Sequence, residues 1–344
     1  MNRTRLTHLL SRFPEVSVLV IGDFFLDQYL VIDPALSEPS LETGLEAYQV
    51  VARRCSPGAA GTVTSNLRAL GVRTAALGVI GEDGEGYDLK QGLAATGVDT
   101  GLLIETPDRF TPTYTKPMVR ERDGREREIN RLDLQNRTPT PDALQGQVID
   151  RLRKAVSQVH GIVVADQVET PDFGVVTARV REELAALAQR YPDKVFFADS
   201  RAHIGLFRNV TIKPNRREAV RALHATWDGE VDRATAERCG QALHERSRKP
   251  VFLTMSEEGI LLFTDAGRAH IPAVPAPGET DPVGAGDSAT AGIVSALCAG
   301  ATPSEAALVG NLVASITLQQ IGTTGTASPE EVLRRFGEHV KREA

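Results

Sequence analysis

A chain of 344 residues that is 41% apolar and 24% charged is long enough for one large globular domain or two smaller ones, with an ordinary supply of core residues. Its formal net charge of −6 argues against a general nucleic-acid binder, and no apolar run approaches a membrane span, so neither nucleic acid nor a membrane is expected as a partner. Three widely spaced cysteines, Cys55, Cys239 and Cys298, offer neither a disulfide framework nor metal-ligand spacing; with no long apolar run in Met1 to Pro14, the expected location is a reducing cytoplasm.

The first strong element is Val16 to Gly22, a near-continuous apolar run of the kind buried on both faces of a parallel sheet. Similar runs recur at 74–79, 161–165, 195–198, 209–212 and 251–254, separated by helical stretches such as 175–190. This alternation predicts an α/β fold with a doubly wound, mostly parallel sheet flanked by helices. Gly22-Asp23-Phe24-Phe25-Leu26-Asp27 follows the first strand, where such a sheet presents ligands. Asp23 and Asp27 are there either as acceptors of hydroxyl hydrogen bonds or as loop caps. Residues 29–55 and 111–132 break the rhythm and alternate apolar with polar, like exposed antiparallel strands. Ser56 to Asn66 is a glycine-containing entry to a helix ending near Gly71, and Gly78 to Gly86 is a second glycine-rich turn. The arginines between Arg120 and Arg131 are interleaved with Glu and Asp, as on a solvated surface.

In the second half, Lys213-Pro214-Asn215-Arg216-Arg217-Glu218 follows a strand, and Asn215 with Glu218 has the spacing of a capping box. Asp281-Pro282-Val283-Gly284-Ala285-Gly286-Asp287 then runs into a helix of small residues. Its glycines allow a tight turn, and the free N–H groups of the following helix form an anion cradle. A carboxylate at Asp287 is either a helix cap or a base beside a reacting phosphate. Residues 328–344 read as a capped amphipathic helix with Pro329 in its first turn. No internal repeat and no Gly-x-x-x-x-Gly-Lys-Ser/Thr run is present, which disfavours a P-loop kinase.

Asp281 to Val294 resembles, without a mismatch, the second signature of the PfkB or ribokinase-like carbohydrate kinases. The resemblance implies that the chain is a single ribokinase-like kinase domain over 1–344, using ATP and Mg²⁺. In that family the aspartate matching Asp287 takes a proton from a sugar hydroxyl, while the N–H groups at Gly284, Ala285 and Gly286 neutralise the transferred phosphoryl group. An aspartate, an N–H nest and Mg²⁺ form a sufficient kit for phosphoryl transfer, which needs positioning and charge stabilisation more than covalent help. The same resemblance makes Asp23, Asp27, Gly58, Ala59 and Thr62 sugar-side residues, although Gly58-Ala59 and Thr62 stand where the family commonly has a Gly-Gly pair and an asparagine. It makes Asn215 and Glu218 the Asn-x-x-Glu motif acting through Mg²⁺-bound water, and it places Gly259, Asn311 and the Gly322-Thr323-Thr324-Gly325 loop on the nucleotide side. The carbonyls of Asp281 and Val283 are the candidate site for a monovalent cation such as K⁺, found in some members. A β lid from segments 29–55 and 111–132 is implied, with a homodimer formed through it.

From about Val18 to Thr326 the chain looks most like the heptose 7-phosphate kinase branch of this family. Gly22-Asp23-x-x-Leu26-Asp27, Thr115-Lys116 and Ile129-Asn130-Arg131-Leu132-Asp133 carry that likeness, and Lys116 or Arg131 would hold the phosphate already on the sugar. Two segments depart from it: Ala165 to Thr170, where the branch has a tyrosine and a Lys-Gly after the aspartate, and Asp199-Ser200-Arg201, where it tends toward Asp-Pro-Lys. No nucleotidyltransferase signature accompanies the kinase pattern. The expected function is phosphorylation of a sugar or sugar phosphate, with a kinase for an unphosphorylated ketose, pentose or nucleoside, or a non-catalytic sensor, as alternatives.

Overall fold

A computed structural model describes the chain apart from residues 122, 225, 228, 323 and 344; Thr323 of the expected nucleotide loop therefore lies outside the described residues. Eight strands form the main sheet in the order Arg73–Leu77, Ser17–Gly22, Gly161–Asp166, Val195–Ser200, Thr211–Ile212, Val251–Thr254, Ile260–Thr264 and Gly267–Ile271. The first six are parallel and the last two antiparallel. The expected strands are therefore present, and the sheet is mixed at one edge only.

The apolar runs are continuous because alternate residues feed two separate cores. Val18 and Val20 join Val163, Phe197 and Phe252 on one face, while Leu19 and Ile21 join Ile162, Val164, Ala198 and Leu253 on the other. Helices Ala60–Ala69, Ala285–Cys298 and Pro303–Thr317 cover the first face; Asp142–Ala155, Ala178–Arg190 and Arg233–Ser247 cover the second. Small residues at 289, 291, 292 and 310 let the helices 285–298 and 303–317 approach closely.

A second sheet stands apart from the first. Its strands are Glu126–Glu128, Thr113–Arg120, Phe24–Ile32 and Val50–Ala59 in that order, with Leu132–Leu134 pairing onto the start of 113–120. The two irregular segments expected at 29–55 and 111–132 supply most of it, and its strands reach back to Phe24 and forward to Ala59. One of its strand pairs, 24–32 with 113–120, is parallel, which the alternating pattern alone does not reveal. The arginines of this sheet are paired as expected of a solvated face: Arg54 with Glu126, Arg127 with Glu121 and Arg125 with Asp123. Among the described residues no helix is long and apolar enough to cross a membrane.

Candidate active site

Gly284 takes φ +77° and caps the Ala285–Cys298 helix without any side-chain hydrogen bond. The N–H of Ala285 turns back to the Pro282 carbonyl at 3.2 Å, whereas those of Gly284, Gly286 and Asp287 find no acceptor among the described residues. The free donors thus differ from the expected Gly284–Ala285–Gly286 set by one member, Asp287 standing in for Ala285, because the turn itself consumes the Ala285 donor. Asp287 lies in the first helical turn, and its carboxyl accepts no hydrogen bond from any described residue, so it is not a cap.

Burial, reinforced by the Asp199 carboxylate, pushes the Asp287 carboxyl up to about 7, against the pull of Lys213 and Arg201. A carboxyl poised there is half ionised near neutral pH and suited to accept a proton. Asp199 ends the 195–200 strand and Lys213 follows the 211–212 strand, so parallel pairing brings them together: Lys213 Nζ lies 2.8 Å from Asp199 Oδ2. Thr290 Oγ1, one turn beyond Asp287, donates to the same oxygen at 3.1 Å. Lys213 is 3% exposed and sits against the backbone of Gly286, where a Cβ would lie 3.6 Å from Nζ. This buried pair joins the cradle to the sheet.

Asn215 and Glu218 form the expected capping box at the head of Arg216–Arg221: Asn215 Oδ1 accepts the Glu218 N–H at 2.9 Å, and Glu218 Oε2 accepts the Asn215 N–H at 2.7 Å. Burial first and Asp199 second push the Glu218 carboxyl to about 7, with Lys213 opposing. The other Glu218 oxygen accepts no hydrogen bond from any described residue and lies near enough to Asp199 for the two carboxyls to repel. This hard-oxygen set fits Mg²⁺, which keeps most of its waters, and no cluster of three or more His, Cys, Asp or Glu suited to direct chelation occurs among the described residues.

On the opposite side, Asp27 Oδ1 meets Lys116 Nζ at 3.0 Å. Lys116 also donates to the Tyr29 hydroxyl at 3.1 Å and lies 4.7 Å from that ring's centre, so its charge is already engaged. A Cβ at Gly58 would overlap Asp27 Oδ2, which explains the glycine. Ala59 takes φ +54°, ψ −117°, a backbone region that glycine tolerates and alanine does not; this is the position where the family has its second glycine. Thr62, in the first turn of the helix that follows, sits beside Gly284, where a Cβ would lie 3.5 Å from Thr62 Cγ2.

Asp23 requires a correction. It is 4% exposed, and its two oxygens accept the N–H groups of Gln167, Val168 and Val175, so it holds the loop 167–175 in place instead of facing a sugar. Burial and the nearby Asp166 push its carboxyl to about 6. Arg131 is likewise occupied, bidentate to Asp133 at 2.6 and 2.8 Å, with its guanidinium 4.1 Å from the Tyr114 ring centre. Tyr114, Arg131 and the 167–175 loop line a cavity of about 380 Å³, which also receives Arg109, Arg137 and Arg201.

The nucleotide-side residues divide. Gly259 lies against the Ile271 carbonyl and the Ala273 N–H, and Asn311 Nδ2 donates to the carbonyls of Ile271 and Pro272; both fix the sheet edge. Gly325 packs on the Thr317 carbonyl. Gly322 donates to Asp281 Oδ2 at 3.2 Å while Asp281 Oδ1 accepts the Val283 N–H, so the 322–325 loop is tied to the turn before the cradle. A cleft of about 530 Å³ beside Asn215 is lined by Arg217, Thr254 and Ser256, among others. Sequence reasoning missed the Asp199–Lys213 pair and the buried Arg109; parallel strand ends at 198–199 and 212–213 were the available signal for the pair.

The family model described as pfkB family carbohydrate kinase matches residues 29–331. The chain belongs to the PfkB carbohydrate kinase family. It is accordingly a sugar kinase, a phosphotransferase with an alcohol group as acceptor. A curated relative, the "Bifunctional protein HldE" of Geotalea uraniireducens (strain Rf4), is 32% identical over 342 residues, covering 98% of this chain. The chain spans 66% of that relative's length. Among solved structures, Arabidopsis thaliana ribokinase complexed with ribose and ATP superposes with a TM-score of 0.68 at 17% identity, covering 93% of this chain and 98% of that one. Phosphofructokinase-2 from Escherichia coli in complex with potassium gives 0.69 at 17% identity, covering 94% and 99%. These two likenesses establish the ribokinase-like fold of this PfkB kinase.

Proposed function

We propose that the chain transfers the γ-phosphoryl group of ATP to a hydroxyl of a sugar phosphate, with heptose 7-phosphate as the acceptor. The observation that carries the reading is Asp287: a carboxyl raised to about 7, free of capping bonds, beside three unpaired N–H donors. Asp287 removes the acceptor's hydroxyl proton as the new P–O bond forms and the bond to ADP breaks. The N–H groups of Gly284, Gly286 and Asp287 and the ammonium of Lys213 meet the charge on the transferring group. Asn215 and Glu218 would hold Mg²⁺ through water, and the ion would offset the charge of the ATP phosphates. ATP occupies the cleft beside Asn215 and Ser256, with the 322–325 loop against its phosphates. Asp27, fixed by Lys116 over the glycine at 58, accepts sugar hydroxyl hydrogen bonds. The likeness to HldE proteins over 98% of the chain supports the heptose assignment.

The second sheet is the lid in this reading. The segment 36–51 leaves Leu36, Leu41, Leu45, Tyr48 and Val50 exposed, which supports pairing of two copies through it. Cys55, Cys239 and Cys298 are all free, in keeping with a reducing cytoplasm. The carbonyls of Asp281 and Val283 remain the candidate for K⁺.

ADP release with ATP and Mg²⁺ across a panel of sugars and sugar phosphates tests the assignment. Heptose 7-phosphate should be turned over fastest, and Asp287→Asn should abolish the signal. Faster turnover of a free ketose, pentose or nucleoside would replace the substrate, and unchanged turnover in the variant would remove Asp287 from its role.

A further inference from the structure

The cavity of about 380 Å³ lined by Phe25 and Tyr114 receives four guanidinium groups, from Arg109, Arg131, Arg137 and Arg201. Two of them are accounted for by the protein. Arg109 is 8% exposed and donates to the carbonyls of Thr138, Pro139 and Phe173 and to the hydroxyls of Thr138 and Thr140. Arg131 is locked to Asp133. The guanidinium groups of Arg137 and Arg201 have no hydrogen-bond or ion-pair partner among the described residues.

Both are nevertheless carried on braced backbone. Asn136, next to Arg137, exchanges two hydrogen bonds with the Phe110 backbone, at 3.0 and 2.9 Å. Arg201 follows Ser200, whose hydroxyl donates to Asp166 Oδ2 at 2.6 Å and accepts the His203 N–H at 2.9 Å, while the Arg201 N–H itself reaches the Asp166 carbonyl at 3.0 Å. The acidic residues lining the cavity are Asp23, already committed to three N–H groups, and the exposed Glu169. Arg201 is also close enough to the reacting end to draw down the Asp287 carboxyl. The cavity is therefore lined by four cationic groups against two acidic ones, and has a volume within the range of small-molecule sites.

We propose that Arg137 and Arg201 grip the phosphate that the acceptor already carries, while Arg131, locked to Asp133, borders the pocket. The inference rests on the reading of the acceptor as a sugar phosphate. It converts the two departures from the heptose branch, at 165–170 and 199–201, into one statement: the cationic group comes from Arg201 and from the 135–137 segment. Guanidinium forks suit a terminal phosphate, whose oxygens accept paired donors.

The test compares calorimetric binding of heptose 7-phosphate and of the free heptose to the intact chain and to Arg137→Met, Arg201→Met and Arg201→Lys, with ATP affinity measured in parallel. The intact chain should prefer the phosphate ester by a hundred-fold or more, and each methionine variant should lose about ten-fold of that preference with ATP affinity unchanged. Arg201→Lys should recover part of it. A preference that survives in both methionine variants overturns the inference and leaves the heptose phosphate reading standing. An intact chain without any preference for the ester overturns that reading and the inference with it.

Discussion

Asp287 holds its reactive carboxyl at a cost in stability, and the cost can be measured. Its carboxyl rises from an ordinary 3.8 to about 7 in the folded chain. A carboxyl raised on folding stabilises the native state below its unfolded pKa, and that stability is lost as pH climbs through the folded value. At about 1.4 kcal/mol per unit, ionised Asp287 costs on the order of 4 kcal/mol at pH 8 and about 1.5 kcal/mol at pH 5. Replacement by asparagine, nearly the same shape and never charged, removes this term. The stability advantage of Asp287→Asn should then grow by about 3 kcal/mol from pH 5 to pH 8. A chain of this size has an unfolding entropy of about 0.7 kcal/mol per kelvin, so the melting temperature difference should widen by about 4 °C. Differential scanning calorimetry of the ligand-free chain at both pH values reads it, and steady-state turnover should collapse in the same variant. A melting difference that does not change with pH would refute the placement of this carboxyl beside Asp199 in a poorly solvated site, whatever happens to turnover.

Three further outcomes follow from the same geometry. Ala59→Gly should raise stability by about 1 kcal/mol, because alanine holds φ +54°, ψ −117° under strain; chemical denaturation showing a loss would contradict that backbone. Gly58→Ala should push the Asp27 carboxylate aside and raise the KM for the acceptor at least ten-fold with the KM for ATP unchanged, since a Cβ there overlaps Asp27 Oδ2. Lys213→Met should destabilise the chain by about 3–5 kcal/mol by removing the cation paired with the buried Asp199, as a urea titration will read; a loss within measurement error would mean that the pair contributes nothing to the fold.

The main sheet was legible because its signal is local. Val16 to Gly22 is apolar at nearly every position since residues 18 and 20 enter one core and 19 and 21 the other, so periodicity and burial agree without any tertiary information. The capping box at Asn215 and Glu218 and the Pro329 helix were legible for the same reason. The parallel pairing of 24–32 with 113–120 was not, because it joins strands about 90 residues apart and leaves no mark in either. Ala59 shows an intermediate case: the family pattern flagged a missing glycine, and only the backbone angle explains what the glycine would relieve.

Charged residues were the least legible, and the reason is pairing. Sequence offers Lys116 or Arg131 for the phosphate and passes over Arg137, yet a cation can serve an incoming phosphate only if no carboxylate has claimed it first. Asp27 claims Lys116 across the 24–32 and 113–120 pairing, and Asp133 claims Arg131 two residues away. Asp23 fails as a sugar ligand by the same logic, its oxygens taken by N–H groups more than 140 residues later in the chain. What survives this subtraction is a small set: Asp287, which no donor satisfies, the free N–H groups that precede it, and the two guanidinium groups of Arg137 and Arg201. A desolvated carboxyl without a donor is held at a cost that a bound ligand removes, whereas the exposed guanidinium groups of Arg137 and Arg201 carry no such cost and are simply free to meet an incoming anion. In this chain the two arginines line the cavity of about 380 Å³, and Arg201 is also close enough to Asp287 to draw its carboxyl down. Two guanidinium groups without a carboxylate partner favour an acceptor that carries an anionic group of its own, since a neutral sugar would leave both arginines unanswered.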